Sequence, residues 1–324
     1  MAKVARIASI GGPEVIGWHD EALTPPGPGE VRMRATAVGL NYIDTYHRRG
    51  IYPMELPSGL GVEAAGIVDA VGGGVTTLKA GDRVATFGPV LGAYATERNI
   101  AADALFALPD DISDEVAAAA LLKGCTAEFL ADRAGTIAPA DWVLVHAAAG
   151  GVGLILVQWL KARGARVIGT VGDEDKATLA RAAGAEEIIL YRREDVAQRV
   201  RAITGGEGVR VTYDGIGLDT WEASLDATGM RGLIISYGNA SAPVTGISLG
   251  VLAMKGSLYN TRPMLYHYYA RPDERAAGAA ALWDMIRTGK VKVSIGQRYP
   301  LLEVARAHED LEARRTTGST VLLP

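Results

Sequence analysis

The sequence predicts an α/β chain in two parts, a β-rich domain in the N-terminal third and a doubly wound parallel sheet after it. Three observations predict this. At 324 residues the chain exceeds the size at which one hydrophobic core keeps growing, so two domains are expected. Its composition, 48% hydrophobic and 22% charged with 40 glycines and three phenylalanines, suits short Val/Ile/Ala-rich elements joined by glycine turns. From Trp142 onward, strand, turn and helix alternate repeatedly, and that alternation decides the class.

The elements follow in order. VRMRATAV, from Val31 to Val38, alternates in part and reads as a strand closed by the turn Gly39-Leu40-Asn41. AGIVDAVG, DRVATFG and ATERNI supply further short strands, punctuated by Gly, Asp and Pro as in a compact, barrel-like β domain. From Asp114 to Leu130 the chain becomes Ala-rich and helix-favouring around Lys123-Gly124-Cys125-Thr126, which places the domain junction there. WVLVH, ending at His146, is a short apolar run expected as a buried parallel strand. Beyond AAAGGVG, LILVQWLKARG is apolar almost all round and predicts a buried helix stopped by Gly164. ARVIGTV, EEIILY, VRVTYDGIG and GLIISYGN continue the strands, with KATLARAAG and DVAQRVRAITGG as helices between them. From about Arg271 a helix, VKVSIGQRYPL, a second helix and the strand STVLLP complete the chain.

Thirty-three basic against thirty-seven acidic side chains leave a net charge of -4, with no general footprint for nucleic acid or anionic lipid. Cys125 is the one cysteine, so an intramolecular disulfide and a cysteine-based zinc cage are both impossible within one chain. MAKVARIASIGG lacks the apolar core and cleavage site of a secretory signal. No window supplies the roughly 18 uninterrupted apolar residues of a membrane helix. The reduced cytosol is the expected compartment.

Ala148-Ala149-Gly150-Gly151-Val152-Gly153 is the dinucleotide pattern G-x-G-x-x-G with alanine first. It stands directly after a predicted strand and before a buried helix, the context the mechanism needs. Gly150 lets the backbone approach a pyrophosphate, Gly153 allows close helix packing, and the helix N-terminus offers unpaired N–H groups to the anion. A ribose-binding acid is expected about twenty residues on, at the end of the second strand. Thr170-Val171-Gly172 stand there instead, with Asp173, Glu174 and Asp175 just later. Lys176 could pair with a 2'-phosphate as a mobile point charge or could be a solvated lysine in a first helical turn.

GLNYIDTYHRRGIYP, GLGVEAAGIV, AGDRV, GAYATE, HAAAGGVG and TGSTVLLP, in this order and spacing, resemble the zinc-free quinone oxidoreductases of the medium-chain dehydrogenase/reductase superfamily. The resemblance spans nearly the whole chain. It implies a GroES-like β-rich catalytic domain of residues 1–122 and 270–324, a Rossmann doubly wound parallel sheet domain of residues 123–269, and an active site in their cleft. It also implies NADPH as hydride donor, a quinone as acceptor, and a homodimer joined through strand edges at Lys255-Gly256-Ser257-Leu258-Tyr259.

The same resemblance assigns residues. It sets Asn41 and Thr126 beside the nicotinamide, and Lys176, Tyr191 and Arg314 around the adenosine 2'-phosphate. Gly150, Gly151, Val152 and Gly153 line the pyrophosphate, and Tyr237, Asn239 and Arg262 border the remaining cofactor path. Tyr237 stands where family members often carry phenylalanine. Tyr46 and Tyr52 match positions at the quinone pocket, where a ring could stack on a flat acceptor and a hydroxyl could donate to its oxygen; for Tyr52 an ordinary half-buried aromatic is an equal reading.

Zinc-dependent relatives carry a cysteine ligand in G-x-C and a histidine ligand in G-H-E. This chain has Asn41 and Val62 at those positions, so both ligands are lost, valine having no donor and an amide being a poor replacement for a thiolate. Glu63 is expected as a structural carboxylate. His19, His47, His146, His267 and His308 show no metal-ligand spacing, and solvated or packing roles are expected for them. Two other functions are compatible with the scaffold: reduction of the carbon–carbon double bond of an enone or alkenal, and a nucleotide-bound RNA-binding or structural role, against which the acidic balance argues.

Overall fold

The computed structural model describes residues 1–324 and divides into two compact units, residues 1–122 with 293–324, and residues 123–292.

The second unit is built on six parallel strands: Trp142–Val145, Arg166–Val171, Glu187–Leu190, Val209–Asp214, Thr228–Ser236 and Tyr259–Thr261. Numbered within the unit, their order across the sheet is 3-2-1-4-5-6, the doubly wound order of dinucleotide-binding folds. Helices Gly151–Ala162, Glu174–Ala183, Val196–Ile203 and Trp221–Ala227 connect them. Leu144, Ile168, Ile189 and Val209 from four strands meet Val200 and Ala227 in one buried cluster, which is why these strands read as apolar runs rather than alternating ones.

Two segments differ from their sequence expectations. The sequence assigns residues 270–292 to the first domain, whereas in the structure they group with the second unit. The cause is packing: helix Pro272–Arg287 lays Leu282 so close over Gly124 that an added Cβ would meet Leu282 Cδ1 at 2.3 Å. Gln158 then holds Lys292, donating to its carbonyl at 3.1 Å and accepting from its N–H at 2.8 Å. The expected edge segment 255–259 is also mostly turn. Gly256 and Ser257 have φ of 119° and 56°, left-handed values that no strand adopts, so the edge strand begins only at Tyr259.

The first unit holds a seven-stranded and a three-stranded sheet. Strand Glu30–Leu40 runs through the larger one and pairs antiparallel with Glu63–Val71, Glu97–Ala101 and Ser319–Leu323. The last pairing sets Thr320 against Leu40 and Leu322 against Val38, so the end of the chain returns to the N-terminal sheet. Met33, Val38, Leu40, Val68, Val84, Tyr94 and Leu322 share the core beneath it. Helix Tyr42–Arg48 leaves the long strand through Asn41. No helix of the molecule is long and apolar enough to cross a membrane.

Candidate active site

Helix Gly151–Ala162 starts at Gly150, and no side chain caps its first turn. Its opening N–H groups, which have no intrahelical partner, therefore point out from the strand ends toward any anion placed there. The turn leading into it cannot accept a side chain at Gly153, where a Cβ would lie 2.2 Å from the carbonyl oxygen of Ala147. Val152 completes this turn. The motif thus has the strand, turn and helix that a pyrophosphate needs.

At the end of the second strand two side chains close over Gly172. A Cβ on Gly172 would lie 3.0 Å from the Tyr191 hydroxyl and 3.4 Å from the Arg192 guanidinium carbon, so an aromatic hydroxyl and a cation occupy the place where a ribose-binding acid would project. Asp173, the first acid that follows, caps helix Glu174–Ala183 by accepting from Lys176 N–H at 3.0 Å. Lys176 is half-buried in that first turn. Arg192 is absent from the sequence assignment; the signal lay in its place beside Tyr191, but nothing local shows that its guanidinium folds back over Gly172.

Tyr237, Asn239 and Arg262 come together after the fifth and sixth strands. Tyr237 N–H donates to Asp214 O at 2.8 Å. Arg262 donates through Nη1 to Ser236 O at 2.9 Å and through Nη2 to the Asn239 amide oxygen at 3.2 Å, the Asn239 nitrogen donating to Gly238 O. Thr126 lies buried in helix Asp114–Phe129, next to Cys125, which is wholly buried. These side chains, with the glycine turn, fit a dinucleotide carrying a 2'-phosphate: a hydroxyl and a guanidinium lie over Gly172, and the nearest acid, Asp173, is engaged as a helix cap.

In the first unit, Asn41 and Glu63 form one buried group. Asn41 Nδ2 donates to Glu63 Oε2 at 2.7 Å and Leu122 N–H donates to Glu63 Oε1 at 2.6 Å. Both carboxylate oxygens are thereby occupied, and Glu63 is structural. Asn41 N–H donates to Asp44 Oδ2 at 2.9 Å, which also accepts from the Tyr94 hydroxyl at 2.7 Å. Tyr94 in turn meets His308 Nε2 at 3.0 Å, and Arg48 Nη1 lies 2.9 Å from His308 Nδ1. Arginine only donates, so Nδ1 accepts and Nε2 carries the hydrogen. Burial, and secondarily Arg48, push the His308 pKa down to about 3. His308 is a buried, bonded core histidine rather than a solvated one.

This network fixes the helix that presents the tyrosines. Tyr46 is buried, its ring 5.6 Å from Tyr42 and 5.3 Å from Tyr52, edge-on to the latter. Tyr52 is half-buried and packs edge-on against His47; burial lowers the His47 pKa. Of the two tyrosines expected at the acceptor, Tyr52 is thus the more open. Arg314, exposed and with φ of 61°, follows helix Val304–Glu312, near enough to Tyr42 to oppose the rise that burial and Glu312 impose on its hydroxyl. Val62 is wholly buried, and no three His, Cys, Asp or Glu side chains converge to hold a metal ion.

Two family models match the chain: the alcohol dehydrogenase GroES-like domain over residues 27–128 and the zinc-binding dehydrogenase over residues 151–270. A quinone oxidoreductase of Pseudomonas aeruginosa is 52% identical over 100% of both chains. The chain belongs to the quinone oxidoreductase family of medium-chain dehydrogenases/reductases. A quinone oxidoreductase of Escherichia coli, solved in complex with NADPH, superposes with a TM-score of 0.97 at 49% identity, covering 99% of this chain and 100% of that one. A 2-haloacrylate reductase of Burkholderia sp is 45% identical over 100% of this chain and 99% of its own. The GroES-like plus Rossmann architecture expected from the sequence is that of this family.

Proposed function

We propose that the chain reduces quinones with NADPH by metal-free hydride transfer. The observation that carries the cofactor half is the end of the second strand: Gly172 supplies no acid, and the Tyr191 hydroxyl and Arg192 guanidinium lie over it. A 2'-phosphate would gain charge-assisted hydrogen bonds there, with Lys176 as a further cation; Arg314, which the family resemblance adds, belongs to the first unit. The quinone half is supported by family membership and by full-length relatives named for that activity.

Bound NADPH supplies the hydride. Asn41 acts through its orientation: Glu63 can only accept, so it takes the amide nitrogen, which leaves the amide oxygen to cap helix Tyr42–Arg48 at the Asp44 N–H and its second lone pair for a nicotinamide carboxamide. Thr126 serves the same end, and Tyr237, Asn239 and Arg262 hold the path between. Tyr46 and Tyr52, packed edge-on to one another, would offer a ring for a flat acceptor to stack on and hydroxyls to the charge developing on its oxygen. A quinone is already a strong electrophile, so positioning and dehydration suffice and no protein nucleophile is needed. At the metal-ligand positions of zinc-dependent relatives, Asn41 spends its nitrogen on Glu63 and Val62 has no donor atom.

The 45% identity to a 2-haloacrylate reductase favours one second reading, hydride delivery to a conjugated carbon–carbon double bond. Steady-state oxidation of NADPH with ortho-quinones, para-quinones, enones and 2-haloacrylate, each with and without a chelator, separates the two. Quinone turnover insensitive to chelator is expected. Saturation of double bonds without quinone turnover replaces the reading with its alternative, and activity lost to chelator and restored by zinc removes the metal-free claim. The protein is proposed to work in the cytosol as a homodimer joined along the strand Tyr259–Thr261.

A further inference from the structure

We infer that His146 is a positioning residue for the cofactor: it links the glycine turn to the ends of four adjacent strands through a buried hydrogen-bonded chain. His146 is buried between the first strand and the turn. Its Nδ1 lies 3.1 Å from Thr170 Oγ1, and its Nε2 lies 3.1 Å from Ser224 Oγ. Ser224 Oγ donates to Asp214 Oδ2 at 2.7 Å. Because Ser224 has spent its hydrogen on a carboxylate, it can only accept from His146, so Nε2 carries the hydrogen and Nδ1 accepts from Thr170. The imidazole is neutral, and burial lowers its pKa despite the opposing pull of Asp214.

The chain reaches each loop at the cofactor face of the sheet. Thr170 lies near the end of the second strand, and its carbonyl accepts from Ala148 N–H at 3.1 Å. Asp214 ends the fourth strand; its Oδ1 accepts from Ile216 N–H at 2.8 Å and Gly217 N–H at 3.0 Å. The Asp214 carbonyl accepts from Tyr237 N–H at 2.8 Å, just past the fifth strand. Strands 2, 1, 4 and 5 are consecutive neighbours in the sheet, so one polar thread crosses them in order. Between its anchors sits Ala147 with φ of 51°, a left-handed conformation unfavourable to any residue with a Cβ. Ala147 O accepts from Gly150 N–H at 2.9 Å and lies where a side chain on Gly153 would project. His146 on one side and the Ala148–Thr170 bond on the other hold this strained residue, and with it the pyrophosphate turn.

This inference rests on the reading that the unit binds NADPH, and the experiment separates the two. Dissociation constants for NADPH are measured by fluorescence on wild type, His146→Phe, His146→Gln, Thr170→Val and Ser224→Ala, well below each melting temperature. A lost hydrogen bond is worth a few-fold to about ten-fold in affinity, so Thr170→Val and Ser224→Ala should each weaken binding about three-fold and His146→Phe about ten-fold. His146→Gln keeps an amide donor where Nε2 stood and should recover most of the loss. Nitrogen-15 spectra of histidine-labelled protein should show His146 neutral with hydrogen on Nε2 at pH 7. Wild type that fails to bind NADPH overturns the cofactor reading and this one with it. Wild-type binding shared unchanged by Thr170→Val, Ser224→Ala and any folded His146 variant overturns this inference alone, as does a spectrum with hydrogen on Nδ1.

Discussion

The amide nitrogen of Asn41 donates to the carboxylate of Glu63 across 2.7 Å, with both side chains buried. Glu63 spends its other oxygen on the Leu122 N–H, so the first residue before helix Tyr42–Arg48 and the middle of helix Asp114–Phe129 share one acid. Removing one donor from a buried carboxylate costs about 1 to 3 kcal/mol. Asn41→Ala should therefore lower unfolding free energy by about that amount in urea at pH 7, and Asn41→Asp, which sets two carboxylates against each other, should lower it further. Unchanged midpoints for both variants would remove Glu63 as the anchor of Asn41.

Cofactor preference should follow the groups over and beside Gly172. Lys176→Ala and Arg192→Ala should each weaken NADPH binding by about 1 to 3 kcal/mol, the range for hydrogen bonds to charged groups, with little effect on NADH, and the family resemblance predicts the same of Arg314→Ala. Titration calorimetry with both cofactors checks this. Equal weakening toward both contradicts the assignment, since only one carries the phosphate.

Stability should fall on mild acidification because His308 is buried neutral. Its pKa is held down to about 3 when folded, against an ordinary 6.5. Below 6.5 the unfolded chain takes up a proton that the folded one refuses, so this stability is complete above that value and is lost as pH falls through the window toward 3. His146, also depressed by burial, acts with the same sign. Urea unfolding at pH 7, 6 and 5 should show a loss that approaches about 1.4 kcal/mol per pH unit from His308 below its ordinary value. His308→Gln should flatten the slope by one proton, and an unaltered slope would contradict the burial argument.

Much of the second unit was legible because its signals are local. A strand, a glycine turn and a buried helix lie within thirty residues, and the glycine at 172 in place of a strand-end acid can be read directly. Partners distant along the chain were not legible. Nothing around Arg192 announces its place over Gly172, and nothing around His146 or His308 distinguishes a solvated ring from one bonded at both nitrogens. The packing of Leu282 on Gly124 moved residues 270–292 to the other unit for the same reason: it joins segments more than 150 residues apart. In the edge segment, Ser257 adopts a left-handed conformation that its residue type does not signal.

Self-association should use the edge strand. Tyr259 is 65% exposed on the unpaired edge strand, and Met230 and Met254 are 75% and 82% exposed, so an open strand edge and large apolar side chains are available to a second copy. Sedimentation at micromolar concentration should give twice the chain mass, and Tyr259→Glu should shift it toward one. A wild-type mass of one chain throughout would contradict the homodimer.

The most direct measurement is an anaerobic single turnover in the presence of a chelator, mixing the protein with a para-quinone and NADPH carrying deuterium at the transferred position. Hydride transfer without a metal predicts stoichiometric loss of NADPH absorbance and one hydroquinone formed, slowed relative to unlabelled cofactor by a primary isotope effect where transfer limits the rate. NADPH left unoxidised by every quinone, while an enone in the same apparatus is saturated, would contradict quinone reduction.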